Sequence, residues 1–358
     1  MKPNPLSNDL THIFDNTFLL WNELRDQQIF ITGGTGFFGC WLLESFLWMN
    51  NALNLNAKAT ILTRNIENFA KKYPHLYHQS SLSFCEGDVR NFEFPVQHFS
   101  HIIHAATDTN ASLNNENPFA LFAAISQGTE RMFEFAKYCQ AKKFLLTSSG
   151  AVYGKQPENL SHIPETYPNQ LQIFDAKSTY ALGKCTAEHL SYLYAMQSGL
   201  EIKIARCFAF VGPYLPLDGH YAIGNFISNG LSAEPIQVKG DGTAFRSYLY
   251  AADLAIWLWT ILFCGKTSYP YNVGSDEAYS LADIANIVAD SFSTPLAVNI
   301  LQEKKPAVPI ERYVPNINRA GKELNLRPQI KLPEAIKLTK EWYKTVGWVT
   351  TQQLTQNI

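Results

Sequence analysis

The sequence has no C-x-x-C pair, and no histidine stands at metal-ligand spacing from a cysteine. Its six cysteines, Cys40, Cys85, Cys139, Cys185, Cys207 and Cys264, are scattered over 358 residues. That pattern excludes short-spaced zinc and dithiol motifs, so reduced, buried thiols and no bound metal are expected. Charge of neither sign predominates: 29 Lys and Arg against 31 Asp and Glu leave a net −2. Without a basic footprint, neither a nucleic acid nor an anionic membrane surface is expected as a partner. The most apolar stretch, Leu254 to Cys264, is too short to span a bilayer and reads as a buried helix. The opening M-K-P-N-P-L-S-N-D-L is polar and has no signal-peptide apolar run, so a cytoplasmic location is expected. No internal repeat and no low-complexity tract interrupts the chain.

What is present is a globular composition, 46% hydrophobic and 17% charged, on a chain long enough for a large core and two domains. One stretch organises it, Gln28 to Gly39, Q-I-F-I-T-G-G-T-G-F-F-G. Ile29, Phe30 and Ile31 suit a short buried strand. Gly33, Gly34, Gly36 and Gly39 follow at once. Trp41, Leu42, Leu43, Phe46, Leu47 and Trp48 then recur at helical spacing. Strand, glycine turn and helix in that order begin a nucleotide-binding βαβ unit. The glycines let backbone approach a pyrophosphate, and the helix directs free N–H groups and its positive dipole end at it.

Further strands are predicted at Ala59–Leu62, Leu82–Cys85, His101–His104, Lys143–Thr147 and Ile202–Cys207, and helices at Pro118–Cys139 and Thr179–Gln197. Strands alternating with helices predict an α/β fold with a doubly wound parallel sheet and ligands at the strand C-terminal ends. Ahead of the first strand, Phe14, Phe18, Leu19, Leu20, Trp21 and Leu24 predict an amphipathic helix packed on the body. After Val211-Gly212-Pro213 the elements shorten.

Tyr180 and Lys184 form Y-x-x-x-K, which puts both side chains on one helix face. A free phenol titrates near ~10, and a nearby ammonium is expected to lower that value. Such a pair can take a proton from an alcohol while hydride leaves the same carbon. Ser149, at the end of the fifth strand, is placed to hydrogen-bond the same oxygen.

With these residues the chain resembles the extended short-chain dehydrogenase/reductase family, in its nucleotide-sugar epimerase, dehydratase and reductase branch, from Ile29 to about Leu326. The family's G-x-x-G-x-x-G is Gly33, Gly36 and Gly39, and its S-S-x-x-V-Y-G is Ser148 to Gly154. The resemblance implies a Rossmann sheet with a smaller C-terminal α/β substrate domain. Residues 1–26 would be an extension, 27–211 and 247–276 the NAD(P)-binding part, and 212–246 and 277–358 the substrate part. It implies Ser149, Tyr180 and Lys184 as catalytic residues. The implied cofactor contacts are Gly33, Thr35, Gly36, Phe37, Phe38, Gly39, Arg64, Asp88, Val89, Ala105, Ala106, Thr107, Tyr180 and Lys184. A nucleotide-diphosphate sugar would meet Ser149, Arg246 and Arg312, with Asn225 in place of the family asparagine that Ala209 replaces. Planar guanidinium groups suit a diphosphate.

Two departures bear on the reaction. Gly150 and Ala151 stand where the family's 4,6-dehydratases carry an Asp-Glu pair, and Ala151 where its uronate decarboxylases carry a glutamate. Both reactions are therefore disfavoured. A C4-epimerase is expected first and a 4-keto-sugar reductase second. A non-catalytic binding module, or a reductase of free carbonyl compounds, is less favoured because the triad and Arg246, with Gly240-Asp241-Gly242 before it, are present. At the end of the second strand Thr63-Arg64-Asn65 has no acid until Glu67, which leans the cofactor from NAD to NADP. The two long helices carry apolar residues on more than one face, and a homodimer through them is expected.

Overall fold

Six strands alternate with helices in the first two-thirds of the chain because their residues alternate between two apolar faces. They are β1 (Gln28–Thr32), β2 (Lys58–Thr63), β3 (Leu82–Glu86), β4 (His101–His104), β5 (Lys143–Ser149) and β6 (Glu201–Cys207). A seventh large-sheet strand arrives later as β11 (Pro270–Val273), after four short strands: β7 (Phe210–Val211), β8 (Ile236–Val238), β9 (Phe245–Arg246) and β10 (Leu249–Tyr250). The computed structural model describes residues 4–107, 117–219, 221–304 and 309–347. All seven strands are parallel, in the order β11-β6-β5-β4-β1-β2-β3. The order reverses between β1 and β4, the kind of switch point beside which doubly wound sheets place their ligands.

Period-2 alternation divides the core. Ile29 and Ile31 of β1, Ile103 of β4 and Leu145 of β5 join one apolar cluster, whereas Phe30, Ile102, Phe144 and Leu146 join another. The first face is covered by helices α1 (Ser7–Thr17) and α2 (Phe37–Leu53) and, beyond α3 (Ile66–Lys72) and α4 (Pro74–Tyr77), by a helix at Ala251–Cys264. Residues 251–263 of that helix are all buried, as expected of the most apolar stretch. The second face is covered by α5 (Pro118–Tyr138) and α6 (Thr179–Ser198). No helix among the described residues is long and apolar enough to cross a membrane.

The N-terminal segment departs from the expected single helix. It is α1 followed by a 3₁₀ segment, Phe18–Leu24. The docked residues of α1 are Leu10 and Ile13, which the expectation missed, while Phe18 and Leu19 stay exposed. In a 3₁₀ turn side chains repeat every three residues, so Trp21 and Leu24 fall on one buried side. Trp21 packs on Trp259 with ring centroids 4.4 Å apart.

Past β6 the helices are α7 (Ala222–Leu231), α8 (the helix Ala251–Cys264 on the first face), α9 (Leu281–Asp290), α10 (Asn318–Leu324) and α11 (Leu332–Val346). With them come β12 (Tyr279–Ser280), β13 (Val298–Ile300) and β14 (Arg312–Tyr313). β9 lies between β12 and β14 in a three-stranded sheet, and β13 pairs with β8.

Candidate active site

The glycine turn fits a dinucleotide. Gly33 has φ +70°, and a Cβ there would lie 2.5 Å from the Ala105 carbonyl carbon. Gly39 would strike Gly34 backbone at 2.2 Å. Packing therefore explains both glycines. It does not explain Gly36, whose Cβ would meet only Gly33 O at 3.5 Å, an ordinary contact. That glycine leaves backbone open to something outside the chain. It is also the N-cap of α2 with no side-chain cap, so the first N–H groups of the helix, at Phe37 and Phe38, remain for an anion. Thr35 lies in the same turn, and the Phe38 ring is fixed edge-on against Phe210, 5.1 Å away.

Arg64 is exposed just past β2 and acts on Asp88 electrostatically. Asp88 is itself held by Arg90, which donates from Nε at 2.7 Å and Nη2 at 3.0 Å. That hydrogen bonding holds the Asp88 carboxyl below its ordinary range. Arg90 was given no role in the sequence analysis, although it stands only two residues beyond Asp88. Val89 packs against Gly128 of α5.

The loop after β4 is joined to the helix of the Y-x-x-x-K pair. Ala106 N–H donates to Thr32 Oγ1 at 3.1 Å, and Lys184 Nζ donates to Thr107 Oγ1 at 2.7 Å and to Thr147 O at 2.8 Å. Burial pulls the Lys184 ammonium down to about 8. Its Nζ stands 5.9 Å from the centre of the Tyr180 ring. The expected lowering of the Tyr180 pKa is not seen: burial pushes the phenol up, and hydrogen bonding to Ser149 only partly opposes it. The reason is geometric, because the ammonium is turned to Thr107 and the Thr147 carbonyl. Beneath lies His104, hydrogen-bonded to Thr32 at 2.8 Å and held neutral by burial, which takes it down to about 3.

Ser149 ends β5, with its hydroxyl accepting Ala151 N–H at 3.1 Å. The strand end is braced by a buried ion pair that sequence reasoning missed. Glu188, two turns beyond Tyr180 on α6, accepts from Ser148 Oγ at 2.5 Å and pairs with Arg206 of β6 at 2.7 Å. Arg206 continues to the Tyr153 hydroxyl at 2.9 Å.

The two arginines expected at the substrate phosphates are not brought together. Arg246 stands in register with Tyr313 across β9 and β14, while Arg312 stands in register with Phe245. Successive residues of a strand face opposite ways. Arg246 therefore shares a sheet face with Tyr313, and Arg312 lies on the other, its guanidinium 4.2 Å over the Phe245 ring. Arg246 is paired with Glu311 at 2.7 Å. Asn225 is half-buried on α7. Tyr313 was passed over by the sequence reading. Among the described residues, no group of three or more His, Cys, Asp or Glu side chains is placed to hold a metal ion.

Residues 29–274, most of the chain, match the model of the NAD dependent epimerase/dehydratase family. The chain belongs to that family. Among similar family members, UDP-glucuronic acid decarboxylase 3 of Arabidopsis thaliana is 29% identical over 320 residues, spanning 89% of this chain and 90% of the relative. UDP-glucuronic acid decarboxylase 1 of Xenopus tropicalis is 26% identical, over 90% of this chain and 73% of the relative. Similar folds include UDP-glucose 4-epimerase of Thermotoga maritima with UDP-glucose, at TM-score 0.76, 18% identity and coverage of 90% and 100%. UDP-glucuronic acid 4-epimerase of Bacillus cereus, in complex with UDP-glucuronic acid and NAD, matches at TM-score 0.75, 22% identity and coverage of 89% and 99%. At these identities the solved structures establish the fold.

Proposed function

We propose that this family member exchanges hydride at C4 of a nucleotide-linked sugar, and that it is first a C4-epimerase. The observation that carries the reading is the grouping of Lys184, whose Nζ donates to Thr147 O of β5, with the Tyr180 ring and with Ser149 at the end of that strand, while positions 150 and 151 supply no carboxylate. A nicotinamide cofactor held along the glycine turn supplies a two-electron acceptor and donor. Tyr180 takes the proton of the C4 hydroxyl as the C4–H bond breaks, and returns it when the ketone is reduced. Ser149 holds the oxygen throughout. Lys184 fixes the loop after β4 and stands beside the Tyr180 ring. Arg246 is the candidate partner of the diphosphate, freed from Glu311 on binding. With Arg64 and Arg90 both beside Asp88, and no acid at the end of β2, we propose NADP ahead of NAD.

The relatives favour a second reading, decarboxylation of a nucleotide-linked uronate. A ketone at C4 lies β to the C6 carboxylate, and a β-keto acid loses carbon dioxide without a second acid, so Gly150 and Ala151 do not bar it. A 4-keto-sugar reductase is third. The test is incubation with UDP-glucuronate and UDP-glucose, each with a catalytic amount of NAD or NADP, followed by NMR. A C4-epimer with the carbon count unchanged supports the first reading. Release of one carbon dioxide per UDP-pentose replaces it with the second. No turnover, with stoichiometric NADPH oxidation only when a 4-keto sugar is supplied, replaces it with the third.

A further inference from the structure

Two donors on one face of the small sheet are each held by a partly exposed acid. β9 is the middle strand between β12 and β14. Arg246 stands in register with Tyr313 of β14 on one side and with Tyr279 of β12 on the other. Residues opposed across neighbouring strands share a sheet face, and in the antiparallel pair of Arg246 and Tyr279 the Cβ atoms lie about 5 Å apart. Tyr279, Arg246 and Tyr313 therefore form one row across three strands. The row begins at the proposed reaction centre: a Cβ at Gly150, the residue after Ser149, would lie 2.7 Å from Tyr313 Oη.

Arg246 Nη2 donates to Glu311 Oε1 at 2.7 Å, and Tyr279 Oη donates to Glu277 Oε2 at 3.0 Å. Glu277 has a second partner in Lys331, at 3.6 Å. The Glu311 side chain is 61% exposed and that of Glu277 41%, so neither contact is sealed from an incoming anion. Exposed pairs of this kind add little to stability and exchange readily. A carboxylate and a phosphate offer the same kind of anionic acceptor oxygen to a guanidinium or a hydroxyl. A cation and a phenol side by side, each already holding an anion, are complementary to a ligand with two linked anionic centres.

We propose that Arg246 and Tyr279 together hold the substrate diphosphate, and that Glu311 and Glu277 stand in for its two phosphates until substrate displaces them. The inference rests on the reading of Arg246 as the diphosphate partner; it adds Tyr279 as a second donor and the two acids as paired competitors. The order along the row fits the substrate class, with the sugar beside Ser149 and the diphosphate farther along at Arg246 and Tyr279.

The test is calorimetric titration with UDP and with pyrophosphate, which needs no turnover. Tyr279→Phe keeps the ring and removes the donor, and UDP affinity is expected to fall about tenfold. Glu311→Gln and Glu277→Gln keep an acceptor of the same shape without the charge, and each is expected to tighten UDP binding about threefold. A gain in affinity cannot come from misfolding, so the two acids test the inference even where Tyr279→Phe is destabilised. A Tyr279→Phe protein that binds UDP like the parent, or a Gln variant of either acid that binds it no more tightly, overturns the inference alone when Arg246→Ala still weakens UDP. If Arg246→Ala leaves UDP affinity unchanged, or the parent binds neither UDP nor pyrophosphate, the diphosphate reading of Arg246 fails and takes the inference with it.

Discussion

Lys184 Nζ donates to Thr107 Oγ1 at 2.7 Å and so ties the helix of Tyr180 to the loop that follows β4. The lysine is 3% exposed, and its other acceptor is the Thr147 carbonyl. One side chain thereby joins α6, the loop after β4 and β5.

Removing the Tyr180 hydroxyl should separate chemistry from binding. Tyr180→Phe keeps the ring, and turnover is expected to fall by about 10²–10⁴-fold with cofactor affinity unchanged. Lys184→Ala should damage both, because it strips Thr107 and Thr147 of a common donor. Turnover assays beside cofactor-binding titrations check this, and near-normal turnover of Tyr180→Phe refutes the assignment.

The Glu188–Arg206 pair should matter to stability more than any surface pair. Arg206 is buried and Glu188 nearly so, and three groups converge on the carboxylate: Ser148 Oγ and the Arg206 Nε and Nη2. Glu188→Leu would leave a buried guanidinium unpaired, at a cost of about 3–5 kcal/mol. The double variant Glu188→Leu/Arg206→Met should recover much of that loss in a denaturant titration. Equal midpoints for parent and single variant would contradict this.

The cofactor preference should depend on Arg64. Losing one charge-assisted hydrogen bond to a 2′-phosphate costs about 1.5–3 kcal/mol, or roughly tenfold or more in affinity. Arg64→Ser is expected to weaken NADP by that factor and leave NAD nearly unchanged. Equal losses for both dinucleotides would show that Arg64 meets a part they share.

Docking of the N-terminal helix should tighten in mild acid. Asp9 is buried beside Asp253 and accepts from the Tyr250 hydroxyl at 3.1 Å, and burial raises its carboxyl from 3.8 to about 6. The folded state then binds the proton more tightly than the unfolded one. Stability from this group is complete below about pH 4 and is lost as pH rises to about 6, by at most about 3 kcal/mol. Proteolysis near α1 should be slower at pH 4.5 than at pH 7, and Asp9→Asn should flatten the difference. A flat profile in the parent protein would refute it.

We also propose that the protein is a homodimer through α5 and α6. Leu121, Met132, Phe133 and Phe135 are used against the sheet, yet Phe119 remains 82% and Met196 69% exposed, with Tyr192 and Leu193 beside them. Light scattering at micromolar concentration should give twice the chain mass, and Met196→Glu should halve it. A monomer in the parent protein excludes the dimer.

Strand positions were legible in the sequence because each depends on neighbours a few residues away. Ile29, Phe30 and Ile31 can satisfy two apolar faces only as an alternating buried strand. The glycine turn and the Tyr180–Lys184 spacing are of the same kind, since a tight turn and one helical step are local geometry. The end of the N-terminal helix was harder to read: Phe18 and Leu19 look apolar enough to be buried, and only the 3₁₀ turn docked on Trp259 leaves them outside.

The sequence by itself determined the doubly wound sheet, the place of its glycine turn and the residues at the head of α6. Tertiary structure decided what surrounds them. Tyr313 reaches Gly150 from 163 positions away, and Glu188 of the helix α6 meets Arg206 of the strand β6. The parity of β14 decided that Tyr313, not Arg312, shares a face with Arg246; a slip of one residue would have reversed them. Local patterns set the period of each element. The register and docking that bring distant residues together depend on packing that the short strands after β6 do not encode locally.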